Sequence, residues 1–216
     1  MDGEAPRAIL GTGADSCRAA FVLSGSRSLV YTARIEQAVV LALQLHRHQL
    51  RKGTDIPYAT HLFAVASLVG ENGGSEDEVC AALLHDAVED QGGPATLVRI
   101  QHAFGDEVAR IVWECSDTDV VPKPPWQARK EAYIAHLAED ADRSVLLVSC
   151  ADKLHNARCI LDDLREHGES VWERFSGGRD GSLWYYRSLL AIYEERLGGR
   201  MVKALRVVVD ELHVPA

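Results

Sequence analysis

The fold is indicated most clearly by the segment AALLHDAVED, residues 81–90. At about 100° per residue, a helix over this segment gathers Ala81, Leu84, Ala87 and Val88 into one apolar stripe. The opposite face carries His85, Asp86, Glu89 and Asp90. We therefore expect one amphipathic helix over residues 76–90, which buries the apolar stripe and presents an imidazole and three carboxylates on its other side.

The charged face of this predicted helix indicates a bound cation. Three carboxylates grouped near a helix C-terminus interact unfavourably with one another and with the helix dipole, each by some tenths of a kcal/mol. A cation would remove both penalties, and His85 beside Asp86 is a suitable ligand pair for a borderline metal ion. The alternative is an acidic helix end that water solvates, as at most charged helix faces.

Two other segments supply candidate ligands. His61 begins a predicted helix, where a lone histidine more often caps the helix or lies at the surface. Asp152 directly follows the apolar run 145–148, so its ionised carboxylate needs a base or a metal ion as partner. Asn156 lies one helical turn later on the same face, where it can donate to a substrate or orient a ligand.

The rest of the chain predicts an all-α fold. Helical periodicity dominates from Glu36 onward and strand patterns are almost absent. The candidate helices lie near residues 36–51, 61–72, 76–90, 95–103, 106–116, 126–139, 142–164, 183–197 and 199–212. We expect a single helical domain of about eight to ten helices over residues 34–216, preceded by a loose or short-helical leader, residues 1–33.

Local start and stop patterns support these limits. Ser75 and Glu78 have the spacing of a capping box, which predicts a helix start. Gly92-Gly93-Pro94 ends one helix and favours the start of the next, because proline fits the first helical turn. The proline-rich segment 121–125 predicts a rigid connector between two helical halves.

Composition narrows the classes of partner and compartment. The 216 residues include 23 Lys and Arg against 32 Asp and Glu, a net charge of −9, with no basic stripe for a nucleic acid polymer. The five cysteines form no C-x-x-C pair, which is typical of buried thiols in a reducing compartment. The N-terminus lacks a secretory pattern, and the apolar stretches are too short to span a membrane. We expect a cytoplasmic protein without a membrane partner; its oligomeric state is open.

The order of these candidate residues resembles the HD superfamily of metal-dependent phosphohydrolases. The segments RKGTDIPYATH (51–61), AALLHDAVED (81–90), FGDEVARIV (104–112) and ADKLHNAR (151–158) look like the hydrolase domain of RelA/SpoT-type proteins and their stand-alone relatives, the small alarmone hydrolases. The resemblance extends from about Glu36 to Leu197. It implies an all-α domain that hydrolyses the 3′-pyrophosphate of ppGpp or pppGpp, giving GDP or GTP and pyrophosphate, with one divalent metal ion, usually Mn²⁺.

Carried over position by position, the resemblance also implies roles for single residues. The four metal ligands fall on His61, His85, Asp86 and Asp152. Glu89 and Asp90 match the acidic pair that positions or deprotonates the attacking water. Arg51 matches an arginine that stacks on the guanine base, with Lys52 beside it, and Asn156 matches an asparagine that contacts the nucleotide. Pro57 and Tyr58 hold the turn that presents His61.

Weaker candidates lie outside those motifs. Binding a highly anionic nucleotide to a protein of net charge −9 requires a local positive rim. Candidates for it are Lys123, Arg129, Lys130 and Lys153, although surface solubilisation is an equal explanation for each. Tyr185 or Tyr186 is a candidate for lining the nucleotide pocket, and Arg179 for closing over it. The histidines other than His61 and His85, His155 among them, show no partner pattern and are expected to be structural or exposed.

Two other functions fit the same residues. The metal site can serve a phosphohydrolase for another phosphorylated nucleotide, such as a 3′-pyrophosphorylated adenine nucleotide or NADPH. It can also belong to a catalytically silent helical binding module, although such a module is expected to have lost some of its ligands.

Overall fold

The computed structural model describes residues 31–117 and 122–213. The helices within them are α1 (Ala33–Leu45), α2 (Ala59–Glu71), α3 (Glu76–Leu84), α4 (Ala87–Asp90), α5 (Gly93–Phe104), α6 (Asp106–Cys115), α7 (Trp126–Glu139), α8 (Arg143–His167), α9 (Gly178–Arg196) and α10 (Gly199–Leu212), with a 3₁₀ helix over Gly168–Arg174. In these residues, β-type pairing is confined to an isolated bridge between Leu50 and Pro57. The predicted all-α fold is confirmed, whereas the predicted leader lies almost entirely outside the described residues.

Helix α8 forms the centre of the fold. It contacts α2, α3, α6, α9 and α10. Its first half is buried almost continuously, from Val145 to Asp152. Because α2 and α3 also contact each other, three elements meet around the buried half of α8. This meeting point positions the polar side chains described below.

Several predicted helix limits are confirmed. Ser75 caps α3 through the predicted capping box, in which its hydroxyl accepts from the Glu78 backbone and the Glu78 carboxylate accepts from the Ser75 backbone. Helix α5 begins at Gly93 with proline in its first turn, after Gly92 adopts a left-handed conformation with φ of 108°. Pro122 to Pro125, the described part of the predicted connector, precedes α7 without helical structure.

Two predicted limits are wrong. The helix predicted over 36–51 ends at Leu45, and a loop follows it that contains the Leu50–Pro57 bridge. The helix predicted over 183–197 already begins at Gly178. Its glycines weaken the helical pattern in sequence, yet a Cβ atom on Gly177 would come within 2.6 Å of the Trp126 ring. Close contact with that ring, which local propensity does not describe, favours glycine in this first turn.

The described part of the chain contains no helix with the length and apolar character needed to cross a membrane.

Candidate metal centre

The predicted helix over 76–90 is interrupted at its most polar point. Helix α3 ends at Leu84 and α4 begins at Ala87, so His85 and Asp86 lie between two helices. His85 Nδ1 donates to the Ala82 carbonyl oxygen at 2.8 Å. This side-chain bond occupies a carbonyl that helix continuation would use, which explains the interruption. The expectation of one continuous helix is therefore wrong, although both residues still face one place.

The four predicted ligands converge there from three elements. His61 comes from the first turn of α2, His85 and Asp86 from the break, and Asp152 from the buried half of α8. His85 Nε2 lies 3.0 Å from Asp86 Oδ2 and 3.7 Å from Asp152 Oδ1. His61 Nε2 lies 3.2 Å from Asp152 Oδ1 and 3.5 Å from Asp86 Oδ2. Two imidazoles and two carboxylates thus surround one small volume.

Among the described residues, both predicted ligand histidines lack a hydrogen-bond partner at the atom that faces this volume. His61 and His85 are 0% and 2% exposed, and their Nε2 atoms are buried without a hydrogen bond. An unpartnered buried polar atom costs free energy unless something binds it. Since His85 Nδ1 must carry a proton to donate to a carbonyl, neutral His85 has its lone pair at Nε2. The residues therefore fit a divalent metal ion with nitrogen and oxygen ligands.

The electrostatics of the cluster favour positive charge. Burial opposes ionisation of Asp152, yet the adjacent Lys153 ammonium and both imidazoles hold the pKa of this carboxyl well below its usual range. The pKa of His85 is raised, against the effect of burial, by the charges of Asp86 and Asp152. The carboxylates are thus ionised and attract a cation, whether a proton or a metal ion.

A second layer of side chains fixes the two carboxylates. Tyr58 Oη donates to Asp86 Oδ2 at 2.5 Å. Lys153 Nζ donates to Asp152 Oδ2 at 2.5 Å, and Asn156 Nδ2 donates to Asp152 Oδ1 at the same distance. These bonds leave the oxygens of the two carboxylates oriented rather than free to rotate.

The predicted acidic pair lies on α4 with partners of its own. Glu89 accepts from Lys123 Nζ at 2.8 Å, and its side chain is 22% exposed. Burial, followed by the charge of Asp117, raises the pKa of Glu89 although Lys123 opposes this. Asp90 accepts from Gln49 Nε2 at 2.8 Å. A carboxylate with a raised pKa is suited to proton transfer.

Some of the predicted nucleotide-binding residues connect to this cluster. Arg51 Nη2 donates to Asn156 Oδ1 at 2.6 Å, and its guanidinium lies 5.6 Å from the centre of the Tyr58 ring. Asn156 bonds in turn to Asp152. Lys52 is exposed beside Arg51.

A second predicted group surrounds Tyr185, which is buried and whose hydroxyl has no hydrogen-bond partner in the part of the chain that the structure describes. Lys130 Nζ and Lys153 Nζ lie 4.9 and 5.9 Å from the centre of its ring. Arg179 instead pairs with Glu169 at 3.4 Å, so its described partner lies in the 3₁₀ helix rather than in the cluster.

Two contacts near the site were not indicated by the sequence. His155 Nδ1 lies 2.8 Å from Nδ1 of the predicted ligand His61. The only available signal was its position three residues after Asp152, which places it on a nearby face of the same helix. Asp117 accepts from both Arg129 and Lys130, two residues of the predicted positive rim, at distances of 2.5 to 2.7 Å. That contact joins α7 to the residues just after α6. Its partners are 12 and 13 residues apart in sequence, so no helical or turn spacing indicates it.

Known proteins resemble this chain in sequence. A family model described as HD domain matches residues 38–183. The chain is 37% identical over 129 residues to a Xenopus tropicalis protein named guanosine-3′,5′-bis(diphosphate) 3′-pyrophosphohydrolase MESH1, a match that covers 58% of this chain and 69% of that protein.

Longer relatives match a similar share of the chain. Over 132 residues it is 35% identical to the bifunctional (p)ppGpp synthase/hydrolase SpoT of Escherichia coli, covering 59% of this chain and 18% of that protein. Over 126 residues it is 38% identical to a probable GTP pyrophosphokinase of Mycobacterium leprae, covering 58% and 16%. The chain thus spans less than a fifth of the length of these two relatives.

Two solved structures share the fold. One, described as a metazoan ortholog of SpoT that hydrolyzes ppGpp, superposes with a TM-score of 0.71 at 24% identity, covering 85% of this chain and 98% of the other. The second is lmo0812 from Listeria monocytogenes EGD-e, with a TM-score of 0.61 at 30% identity, covering 69% and 96%. The arrangement of helices around α8 is therefore one that solved proteins adopt.

Proposed function

Because this chain belongs to the HD domain family, we propose that it hydrolyses the 3′-pyrophosphate of guanosine alarmones, converting ppGpp to GDP and pppGpp to GTP with release of pyrophosphate. The observation that carries the proposal is the pair of buried, unpartnered imidazole nitrogens that face two ionised carboxylates. The names of relatives such as the Xenopus protein support the choice of substrate.

We assign the metal ligands to His61, His85, Asp86 and Asp152, and the metal ion to Mn²⁺. The ligand atoms suit several divalent ions, so the choice of manganese rests on the family resemblance. A divalent cation, when bound, would lower the pKa of a water molecule and polarise a phosphoryl oxygen. Tyr58, Lys153 and Asn156 keep the ligand carboxylates in place.

The residues of α4 perform the proton transfer. Glu89 accepts the proton of the attacking water, and Asp90 helps to orient that water. A bond forms between the water oxygen and the phosphorus attached to the ribose 3′ oxygen, and the bond from this phosphorus to the 3′ oxygen breaks. The 3′ oxygen takes up a proton to become a hydroxyl, and pyrophosphate carries away the water oxygen.

The cationic residues around the centre bind the nucleotide. Arg51 offers a planar guanidinium for stacking on guanine, and Asn156, which holds it, contacts the nucleotide. Lys130 and Lys153, together with the unpartnered Tyr185 hydroxyl, provide donors for phosphate oxygens. Lys52 and Arg179 are assigned to the outer rim of the pocket. The cytoplasm is the compartment we propose for this activity, on the basis of cysteine usage.

A substrate panel tests the proposal. Purified protein with Mn²⁺ is incubated with ppGpp, GTP, NADPH and a 3′-pyrophosphorylated adenine nucleotide in H₂¹⁸O, and the products are identified by mass spectrometry. We expect GDP and ¹⁸O-labelled pyrophosphate from ppGpp, with GTP unchanged. Faster turnover of NADPH or the adenine nucleotide would keep the metal centre but reassign the substrate, and turnover of none would favour a binding module.

A further inference from the structure

A histidine outside the predicted ligand set touches a predicted ligand. His155 Nδ1 lies 2.8 Å from His61 Nδ1, and the two ring centres are 4.9 Å apart. The contact joins α8 to α2 across their interface. One of the two nitrogens must donate a proton and the other must accept it, because two lone pairs at this distance repel.

The direction of this hydrogen bond follows from the other side of the His61 ring. His61 Nε2 faces Asp152 Oδ1 at 3.2 Å and Asp86 Oδ2 at 3.5 Å, and it is buried without a hydrogen bond to any of residues 31–117 or 122–213. A nitrogen that binds a metal ion there needs its lone pair, so the ring proton belongs on Nδ1. His61 Nδ1 is then the donor, and His155 Nδ1 is the acceptor.

His155 is suited to accept. Its own proton then lies on Nε2, and the Cys159 sulfur, a weak acceptor one helical turn away, lies 3.8 Å from this Nε2 and 3.9 Å from Nδ1. The backbone of His155 belongs to the 25-residue helix α8, so the acceptor is fixed relative to Asp152. His85, by comparison, obtains the same support from the Ala82 carbonyl.

We propose that His155 is a positioning residue of the metal centre, which fixes the tautomer and the orientation of the ligand His61 by accepting a hydrogen bond from its Nδ1. The inference rests on the proposed metal site and adds a residue to it. Loss of such an outer partner typically weakens metal binding by about 10-fold to 100-fold.

Metal affinity tests this role without reference to activity. The dissociation constants for Mn²⁺ and Co²⁺ are measured for wild type, His155→Leu, His155→Asn and Cys159→Ala. We expect His155→Leu to bind about 10-fold more weakly or worse, with a changed Co²⁺ absorption spectrum. His155→Asn should restore most of the affinity, because its amide oxygen can occupy the place of Nδ1. Cys159→Ala removes a sulfur that lies 3.9 Å from Nδ1 and 3.8 Å from Nε2 of His155, but it leaves the bond between the two imidazoles, so it should bind like the wild type.

The outcomes separate the two proposals. Failure of the wild type to bind either metal ion would overturn the proposed metal centre itself. Equal affinity and equal spectra for the wild type and a folded His155→Leu would overturn the role of His155 alone.

A measurement on the unchanged protein covers the case in which His155→Leu does not fold. Long-range ¹H–¹⁵N spectra of the Zn²⁺-loaded wild type report which ring nitrogen of each histidine carries the proton. The proposal requires protonated Nδ1 on His61 and protonated Nε2 on His155. A proton on Nδ1 of His155 would contradict it.

Discussion

His85 and Asp86 are neighbours in sequence, and in a continuous helix their side chains would point about 100° apart. His85 Nε2 and Asp86 Oδ2 nevertheless lie 3.0 Å apart, at the interruption between Leu84 and Ala87. At the scale of single residues, the site thus contains two adjacent candidate ligands at a helix interruption.

Mutations of the proposed ligands and of the proposed base should affect metal binding differently. His85→Ala and Asp152→Ala each remove one metal-binding atom, so both should abolish metal uptake and turnover together. Glu89→Gln keeps every ligand but loses the proton acceptor, so it should bind metal normally while kcat falls by about 10² to 10⁴. Metal content and kcat, measured for each variant, check this. The exposed His102→Ala is the control and should match the wild type.

Full activity of either ligand variant in metal-depleted buffer would show that the ligands are wrongly assigned. Loss of metal in Glu89→Gln would instead place Glu89 among the ligands.

Lys123 should tune the pH dependence of catalysis. Its ammonium lies 2.8 Å from Glu89 Oε1 and lowers the pKa of that carboxyl against the effects of burial and of Asp117. Replacing it in Lys123→Met removes this effect, so the pKa of Glu89 should rise. Since the base must be ionised, the acid limb of the kcat/KM profile should move to higher pH. The control is Lys203→Met, a change at an exposed position of α10, which should leave the pH profile unchanged. If the acid limb of the kcat/KM profile did not move in Lys123→Met, Glu89 would not be the base.

At the scale of helices, the capping box of α3 should stabilise the protein without tuning the site. Ser75→Ala removes the hydroxyl that accepts from the Glu78 backbone. We expect the free energy of unfolding to fall by about 1 kcal/mol, measured by urea denaturation. The metal affinity of the folded protein should not change, because α3 still ends at Leu84. A loss of stability no larger than that of the exposed Ser176→Ala would show that the cap contributes little.

The stability that Asp117, just after α6, gains from its ion pairs with α7 should depend on pH. Burial opposes ionisation of Asp117, but Lys130 and Arg129 lower its pKa below the ordinary value. A carboxyl whose pKa is lower in the folded state contributes stability above its unfolded pKa, and loses it as the pH falls through the folded pKa. Asp117→Asn should therefore reduce the free energy of unfolding at pH 7 by roughly 2–3 kcal/mol, with a smaller effect below about pH 4.

Urea denaturation at several pH values checks this prediction. The control is Asp162→Asn, at a carboxyl that is 75% exposed and pairs with Arg165 at the surface. It should cost less than about 1 kcal/mol at any pH. A constant cost of Asp117→Asn from pH 7 to pH 3 would contradict the assigned ion pair.

Sequence patterns predicted the elements well where the determining forces were local. The cap of α3, the proline start of α5 and the bounds of α7 and α10 follow from residues within one or two turns. The break at His85 depends on a side-chain bond to the Ala82 carbonyl, which competes with the helix and leaves no periodic trace. Glycine at the early start of α9 is favoured by the close approach of Gly177 to Trp126, which is far away in sequence.

At the scale of the whole molecule, the site exists only because three elements meet. Residues 61, 85, 86 and 152 are spread over much of the chain. The meeting of α2, α3 and α8 brings one oxygen of each carboxylate within 3.0 to 3.7 Å of both imidazole Nε2 atoms. The sequence showed that Asp152 follows a buried run, but periodicity does not give the geometry between helices. The family resemblance supplied that grouping, whereas the pairing of His155 with His61 required the structure.

The most direct test of the central claim is pyrophosphate release from ppGpp by the metal-stripped protein, measured before and after addition of Mn²⁺. We predict no turnover before addition and conversion of ppGpp to GDP afterwards, saturating at one metal ion per chain. Turnover that is independent of added metal in the stripped protein, or bound Mn²⁺ without any turnover of ppGpp, would contradict the account.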